Sequence, residues 1–450
     1  PILNPYAAVG IWFVTQNRSL FLCCVWSGHR ALGNGTFWLL PVEGSFCLAG
    51  AHPVFYCIQA MTTSATPYPS EPIVNKLPLP DPLLPPGETV KVTSKEEWPA
   101  AASQWSRLIT GMLYGGLPEA PEAVTAELLC HALIRRFEEH PVILTYRVHC
   151  HKNGKTFPFT VRIILPAGKG PYPAIVNGDG CWWYISDEII RNVIRTGCAL
   201  VLFNRTELAE DAGGIDVPER DFYLPKGVAP DPERAKRKGG LYEFFNSTRS
   251  SAVSAWAWGF HRCIDLLEQL TFIDTTRIAA TGHSRGSKAA MLAALNDSRI
   301  TLLNENGACA GGSPLFRWVG YRGETIDIVC RFPTWFNPAM KEYIGREEAL
   351  PFDQHCILAS LAPRPVLMTY GLDDRWSNPE GMVLSVQAAR PVYDLFGEGD
   401  NLCFHLREGG HSHTLEDWRA LLAFIRWKWF GEAPAAPFNC HPYDHLPAVC

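Results

Sequence analysis

The chain has 450 residues, of which 47% are hydrophobic and 19% charged, and its formal net charge is −5. That is enough apolar material for one large core with extensions. No basic run offers the clustered positive patch that a nucleic-acid backbone requires, and no stretch approaches the roughly 18 uninterrupted apolar residues of a membrane span, so neither nucleic acid nor membrane is expected as a partner.

Residues 1–60 open on Pro1 and carry Cys23, Cys24, Cys47 and Cys57 among short apolar bursts such as Leu20-Phe21-Leu22, without a sustained helical or strand period. No charged start followed by an apolar stretch and a small-residue cleavage site is readable, so no secretory signal is assigned and the compartment is left open. The expectation is that this segment lies outside the fold and that the native protein begins near Met61. Residues 61–92, with Pro78-Leu79-Pro80-Asp81-Pro82 and Pro85-Pro86, read as an extended arm. A helix over Glu96–Met112 then opens a catalytic domain expected at 93–432, followed by a tail at 433–450. The 15 cysteines are scattered without CxxC pairs or Cys/His metal spacing, which points to mostly free, buried thiols and to no metal site.

From about residue 140 strands alternate with helices. Ile143–His149 and Phe157–Leu165 read as an antiparallel pair around the turn His151-Lys152-Asn153-Gly154. Short apolar runs follow at Pro173–Val176, Cys198–Phe203, Arg277–Ala280, Ile300–Leu303, Pro365–Tyr370 and Leu402–Leu406. Between them lie helix-period segments at Val253–Leu270, Lys288–Leu295, Met382–Phe396 and Leu415–Phe430. Such alternation predicts an α/β fold with a mainly parallel central sheet and helices on both faces, and the leading antiparallel pair suits an α/β-hydrolase. Active sites of these sheets lie beyond the carboxyl ends of the strands.

At such an end stands Gly282-His283-Ser284-Arg285-Gly286, with a strand before it and a helix after. This is the G-x-S-x-G turn in its required context. The serine sits on a strained corner that projects its hydroxyl, the glycines avoid collision with the neighbouring strand and helix, and the helix N-terminus favours a developing oxyanion. Ser284 is the expected nucleophile. Its base belongs after the last strand, in Gly409-Gly410-His411-Ser412-His413, where position does not choose between the two histidines. The acid has two candidates as well: Asp374, after the strand Pro365–Tyr370, and Glu305, after the strand before that one. Either would hold the imidazole in one tautomer and stabilise its cation.

Taken together these residues resemble the glucuronoyl esterases of carbohydrate esterase family 15 over roughly residues 90–430. Gly282-His-Ser-Arg-Gly-Ser-Lys288 is similar to that family's G-C-S-R-x-G-K signature, Asn304–Ala308 to its E-S-G-A segment, and Ala255-Trp-Ala-Trp258-Gly259 to a helix of its bacterial members. Trp335-Phe336, Asp353-x-His355 before Ala362-Pro-Arg364, Asp374-x-Trp376 and Gly410–His413 follow in order. The resemblance implies an α/β-hydrolase with Ser284 as nucleophile, Glu305 as acid and His413 as base. It implies that Arg285 helps bind the oxyanion by charge and by its backbone N–H, and that Lys288 and Trp376 contact the sugar of a uronate. Two features depart from the pattern: the glycine of the signature falls one place early, and His283 and Thr414 stand where many members carry a disulfide.

The implied reaction is a two-step acyl transfer at the C6 carbonyl of a 4-O-methylglucuronate ester, on a small molecule or polysaccharide, with no metal or cofactor. The rival readings are an acetylxylan esterase or other carboxylesterase on the same fold, a peptidase of that fold, and an inactive carbohydrate-binding homologue. Neither the alcohol half of the ester nor the oligomeric state is written in the sequence.

Overall fold

The computed structural model describes residues 72–182, 185–211 and 236–446 in full, and within 10–58 the backbone of five short strands. The chain divides into two compact units, Pro1–Tyr68 and Pro69–Cys450. In the first, where the sequence suggests no regular element, Gly10–Gln16 pairs antiparallel with Ser19–Val25, and Trp38–Val42, Ser45–Ala49 and Tyr56–Ile58 form a three-stranded antiparallel sheet. The native start expected near Met61, and the arm as far as residue 71, lie outside the fully described residues.

The second unit is built on nine strands. They are β1 (Ala123–Leu133), β2 (Val142–Lys152), β3 (Lys155–Leu165), β4 (Tyr172–Asn177), β5 (Ala199–Phe203), β6 (Ile273–His283), β7 (Leu302–Asn306), β8 (Val366–Gly371) and β9 (Leu402–Arg407). Across the sheet their order is β9-β8-β7-β6-β4-β5-β3-β2-β1. The six strands from β5 to β9 in that order pair parallel, whereas β5–β3, β3–β2 and β2–β1 pair antiparallel. This is the α/β-hydrolase sheet that the sequence predicts.

Successive side chains on a strand point to opposite faces, so a strand buried on both sides must be apolar throughout. The central strands show this directly. Ala280, Leu303, Met368 and Phe404 pack into one core with helices α1 (Trp98–Tyr114), α3 (Ala252–Leu267), α4 (Arg285–Asn296) and α5 (Pro379–Leu395). Their neighbours Ala279, Leu302, Leu367 and Cys403 pack into the other, under α2 (Asp187–Arg195) and α6 (Leu415–Phe430). Helix α3 is buried on almost every side, and its two indoles find carbonyls, Trp256 at Ala209 (2.9 Å) and Trp258 at Glu119 (2.8 Å), as buried indole N–H groups must.

Among the longer elements, two escaped the sequence reading. Strand β1 is an outer strand, largely exposed, whose run Ala123-Val-Thr-Ala-Glu-Leu-Leu lacks a clean alternation. Helix α2 carries its own signals: Ser186 caps Ile189 N–H, Asp187 and Glu188 fill the first turn, and Ile189, Ile190, Val193 and Ile194 make the buried stripe. The segment from Pro72 to Val92 contains a two-residue strand, Val74–Asn75, paired with Trp318–Val319, and its Pro82 carbonyl accepts the buried Trp105 indole at 2.9 Å. Beyond α6 the chain returns to β9, where Asn439 N–H donates to the Phe404 carbonyl (2.9 Å) and Phe404 N–H donates to Asn439 Oδ1 (2.9 Å).

Candidate active site

Four adjacent parallel strands deliver the candidate residues to one end of the sheet: Ser284 after β6, Glu305 at the end of β7, Asp374 after β8, and His411 and His413 after β9. Ser284 occupies the corner between β6 and α4 with φ 54° and ψ −119°, a left-handed conformation that costs a residue with a Cβ about 1–2 kcal/mol. The corner is fixed on both sides: Ser284 N–H donates to the Asn306 carbonyl (2.8 Å), and its own carbonyl accepts from Ser287 (3.0 Å) and Lys288 (3.2 Å). The flanking glycines are required by space. A Cβ on Gly282 would lie 2.5 Å from the Gly286 carbonyl carbon, and one on Gly286 would strike the Asp179 carboxylate.

Of the two loop histidines, His411 is the one with a carboxylate. Its Nδ1 lies 2.6 Å from Asp374 Oδ2, and its ring is partly exposed, beside the Trp376 ring (5.1 Å between centroids) and the His283 ring (4.6 Å). Gly307, next to the Asn306 that holds Ser284, lies against the imidazole and has φ 53°, a backbone conformation that favours glycine. Asp374 is itself fixed by Ser377, which donates to it from both N–H (3.3 Å) and Oγ.

His413 turns the other way. Its ring stacks on Trp418 (5.0 Å, 18°), it is buried, and its Nε2 has no hydrogen-bond partner among the described residues. Burial holds its imidazole down at about pKa 4; Asp417 opposes that shift and Arg407 adds to it. The local chain explains the direction. Thr414 caps α6 and forms a capping box with Asp417, which makes His413 the residue before the cap and Trp418 the fourth helical residue. These are the two positions whose side chains staple a helix start. Arg407 fixes the loop further by donating to the Ser412 (2.6 Å) and Gly410 (3.2 Å) carbonyls.

Glu305 is fully buried beneath the Cys309–Ser313 loop. Oε1 accepts from Ser313 N–H (3.1 Å) and the Tyr370 hydroxyl (2.9 Å), and Oε2 accepts from the Ser313 hydroxyl (2.8 Å). Burial raises its pKa, and Ser313, Tyr370 and Lys288 pull it back. The pairing of His413 with Glu305 that the resemblance implies is not among the hydrogen bonds of either side chain, whereas His411 and Asp374 meet directly.

Lys288 is buried one turn along α4 and donates to the Ala308 carbonyl, close to two buried carboxylates. Besides Glu305, the second is Glu324, which the sequence did not single out. Burial raises the pKa of Glu324 as well, and Lys288, Arg331 and the Trp376 indole oppose that. Glu324 N–H donates to the Trp376 carbonyl (2.9 Å), so the loop carrying it is tied to the one carrying Trp376. A buried cation, two carboxylates and an indole thus lie together beside the nucleophile.

Arg285 follows the nucleophile. Its guanidinium lies 4.3 Å from the Trp335 ring centre, and Nη1 donates to Asp211 Oδ1 at 3.1 Å. Among the described residues no three or more His, Cys, Asp and Glu side chains are grouped to hold a metal ion, and no helix is long and apolar enough to cross a membrane. The ten cysteines in these residues are free thiols.

A family model described as glucuronyl esterase, fungi, matches residues 221–397. A 4-O-methyl-glucuronoyl methylesterase of Podospora anserina is 27% identical over 446 residues, a match covering 88% of this chain and 84% of that protein. A carbohydrate esterase family 15 glucuronoyl esterase from Caldicellulosiruptor kristjansonii superposes with a TM-score of 0.67 at 27% identity, over 83% of this chain and 96% of that one. The chain is similar to the glucuronoyl esterases in sequence and in fold. Within the family, a serine-to-alanine mutant of the Sporotrichum thermophile glucuronoyl esterase, solved in complex with methyl 4-O-methyl-β-D-glucopyranuronate, superposes with a TM-score of 0.63 at 25% identity, over 81% of this chain and 91% of that one. Glucuronoyl esterases are carboxylic ester hydrolases, and the serine corner on an α/β-hydrolase sheet is the part of this chain suited to that chemistry.

Proposed function

We propose that this chain is a serine esterase that cleaves the ester at C6 of 4-O-methylglucuronate. The observation that carries the proposal is the convergence at one sheet end of a strained serine corner, an imidazole–carboxylate pair and the buried Lys288 with its neighbouring carboxylates. Ser284 Oγ is the nucleophile. His411 is the base: Asp374 on Nδ1 fixes the tautomer that leaves Nε2 free to take the serine proton, and it stabilises the imidazolium that results. The contact of 2.6 Å between His411 and Asp374 supports this assignment over His413, which is neutral, buried and packed on Trp418.

In the first half-reaction Ser284 attacks the carbonyl, and the oxyanion is met by N–H groups at the start of α4 and by the Arg285 cation, a charge-assisted donor suited to it. His411 then protonates the leaving alcohol. Water repeats the attack in the second half, activated by the same imidazole, and frees the uronate. Lys288, Glu324 and Trp376 offer a cation, an acceptor and an indole to the sugar hydroxyls.

The test is turnover of methyl 4-O-methylglucuronate beside acetylated xylan. Hydrolysis of the uronate ester, lost almost completely in Ser284→Ala with the fold intact, is the expected result. Release of acetate with the uronate ester untouched decides for an acetylxylan esterase instead.

A further inference from the structure

The nucleophile corner is bound to a chain of four alternating charges that ends on Arg285. It begins at Asp179, just beyond β4, whose Oδ2 accepts from the backbone N–H of His283 (2.6 Å), the residue before the nucleophile. Asp179 Oδ1 accepts from Arg205 Nη1 at 2.5 Å. Arg205 follows β5, is fully buried, and lies between the Trp182 and Trp256 rings at 4.0 and 4.9 Å. Its Nη2 donates to Asp211 Oδ2 at 3.0 Å. Asp211 Oδ1 in turn accepts from Arg285 (3.1 Å) and from the Trp335 indole N–H (3.2 Å), which belongs to the ring on which the Arg285 guanidinium lies.

The two aspartates do different work. Asp179 answers the backbone of the corner, and with Arg205 it forms a buried pair that would be costly to break from one side. Asp211 is less buried, and its partners among the described residues are side chains: the two arginines and the indole. One carboxylate therefore sets both the direction of Arg285 and the face of Trp335 beneath it. Arg285 Nε is buried and has no hydrogen-bond partner among the described residues, so with Nη1 taken by Asp211 a donor remains that none of those residues uses. A guanidinium on a flexible stem gains catalytic value when its fork is already aimed, because the ordering cost is met before the transition state forms.

We propose that Asp211 is the positioning residue for Arg285, holding the guanidinium against Trp335 so that its remaining N–H groups serve the oxyanion. The proposal rests on the esterase reading above and adds to it a residue that touches neither substrate nor nucleophile.

A double-mutant cycle tests it. Asp211→Asn keeps an acceptor for the indole and removes the charge that holds Arg285, while Asp179 still answers Arg205. The expected result is a fall of about tenfold to a hundredfold in kcat with KM little changed, the scale of a misplaced catalytic donor. In an Arg285→Ala background the same substitution should change kcat less than about twofold, and Asp211→Glu should restore part of the loss in the wild-type background. A merely structural Asp211 would instead lower activity by the same factor in both backgrounds, in step with a lower Tm, and that additivity overturns the proposal. The cycle is read on methyl 4-O-methylglucuronate and on 4-nitrophenyl acetate. If the unaltered protein cleaves only the activated acetate, the uronate reading fails and the cycle is judged on the acetate. If it cleaves neither, both readings fall.

Discussion

Replacing each carboxylate by its amide asks directly which of them serves the base. Asp374 Oδ2 receives both His411 Nδ1 and the Ser377 hydroxyl, and Oδ1 receives the Ser377 backbone N–H. In Asp374→Asn the backbone N–H of Ser377, which can only donate, holds the amide oxygen on its own side. The amide NH₂ is then turned toward His411 Nδ1, which must accept, so the ring proton moves to Nε2 and the imidazole can no longer take the Ser284 proton. The wrong tautomer in a triad costs about 10⁴ in kcat, or about 5.4 kcal/mol at about 1.36 kcal/mol per decade. Glu305→Gln meets three donors. Its oxygen, in the place of Oε1, keeps the Ser313 N–H and Tyr370 hydroxyl donors, and the Ser313 hydroxyl turns to accept from the new amide. The expected outcome is about 1–3 kcal/mol of lost stability and a kcat within about tenfold of wild type. Initial rates on the uronate ester, with Tm from circular dichroism as control, separate the two. If Glu305→Gln falls by four decades at an unchanged Tm while Asp374→Asn stays within tenfold, the assignment of His411 and Asp374 is wrong.

Two further outcomes follow from single side chains. His413 stays neutral in the folded chain until about pH 4, whereas the unfolded chain takes up a proton near the ordinary imidazole value. The unfolded state therefore binds more protons between about pH 6.5 and 4, and this residue makes stability fall as pH drops through that window, by up to about 3 kcal/mol. Urea unfolding of wild type and His413→Leu at neutral pH and near pH 4.5 should show a smaller acid loss in the variant, and equal losses would refute the buried neutral imidazole. At the corner, Ser284→Gly relieves the left-handed strain and pays the greater chain entropy of glycine, a net gain of about 1 kcal/mol. Both Ser284→Gly and Ser284→Ala lose activity, but only the glycine variant should melt above wild type; calorimetry that ranks alanine at or above glycine contradicts the strain.

What could be read from the sequence was what neighbouring residues encode together. Ser284 was legible because strand, turn and helix lie within a few residues of it. The central strands were legible because burial on both faces leaves apolar runs such as Pro365–Tyr370. The histidine was not, since His411 and His413 share a loop and differ only in which way the chain turns. A local signal did exist: the capping box of Thr414 and Asp417 with Trp418 one residue on would have sent His413 inward. The acid was illegible for a different reason. Glu305 and Asp374 both follow strand ends, and what separates them is the set of donors waiting there, Ser313 and Tyr370 for one and His411 for the other. Asp179, Arg205, Asp211 and Arg285 span more than a hundred positions, and they meet because the sheet order places β4 between β5 and β6. Nothing in a single sequence announces that meeting.

The pairing of Asn439 with Phe404 matters for how the molecule keeps to itself. Strand β9 ends the sheet, and an unsatisfied margin of N–H and C=O groups invites any extended peptide, including another copy, to lengthen the ladder. A single asparagine imitates a tenth strand for the length of one residue, and by occupying both polar groups of Phe404 it breaks the row of docking points near its middle. At the opposite margin β1 uses another device, an irregular step between Leu128 and Cys130 that spoils the spacing a newcomer would need. A sheet this wide can therefore keep two open flanks without recruiting strangers.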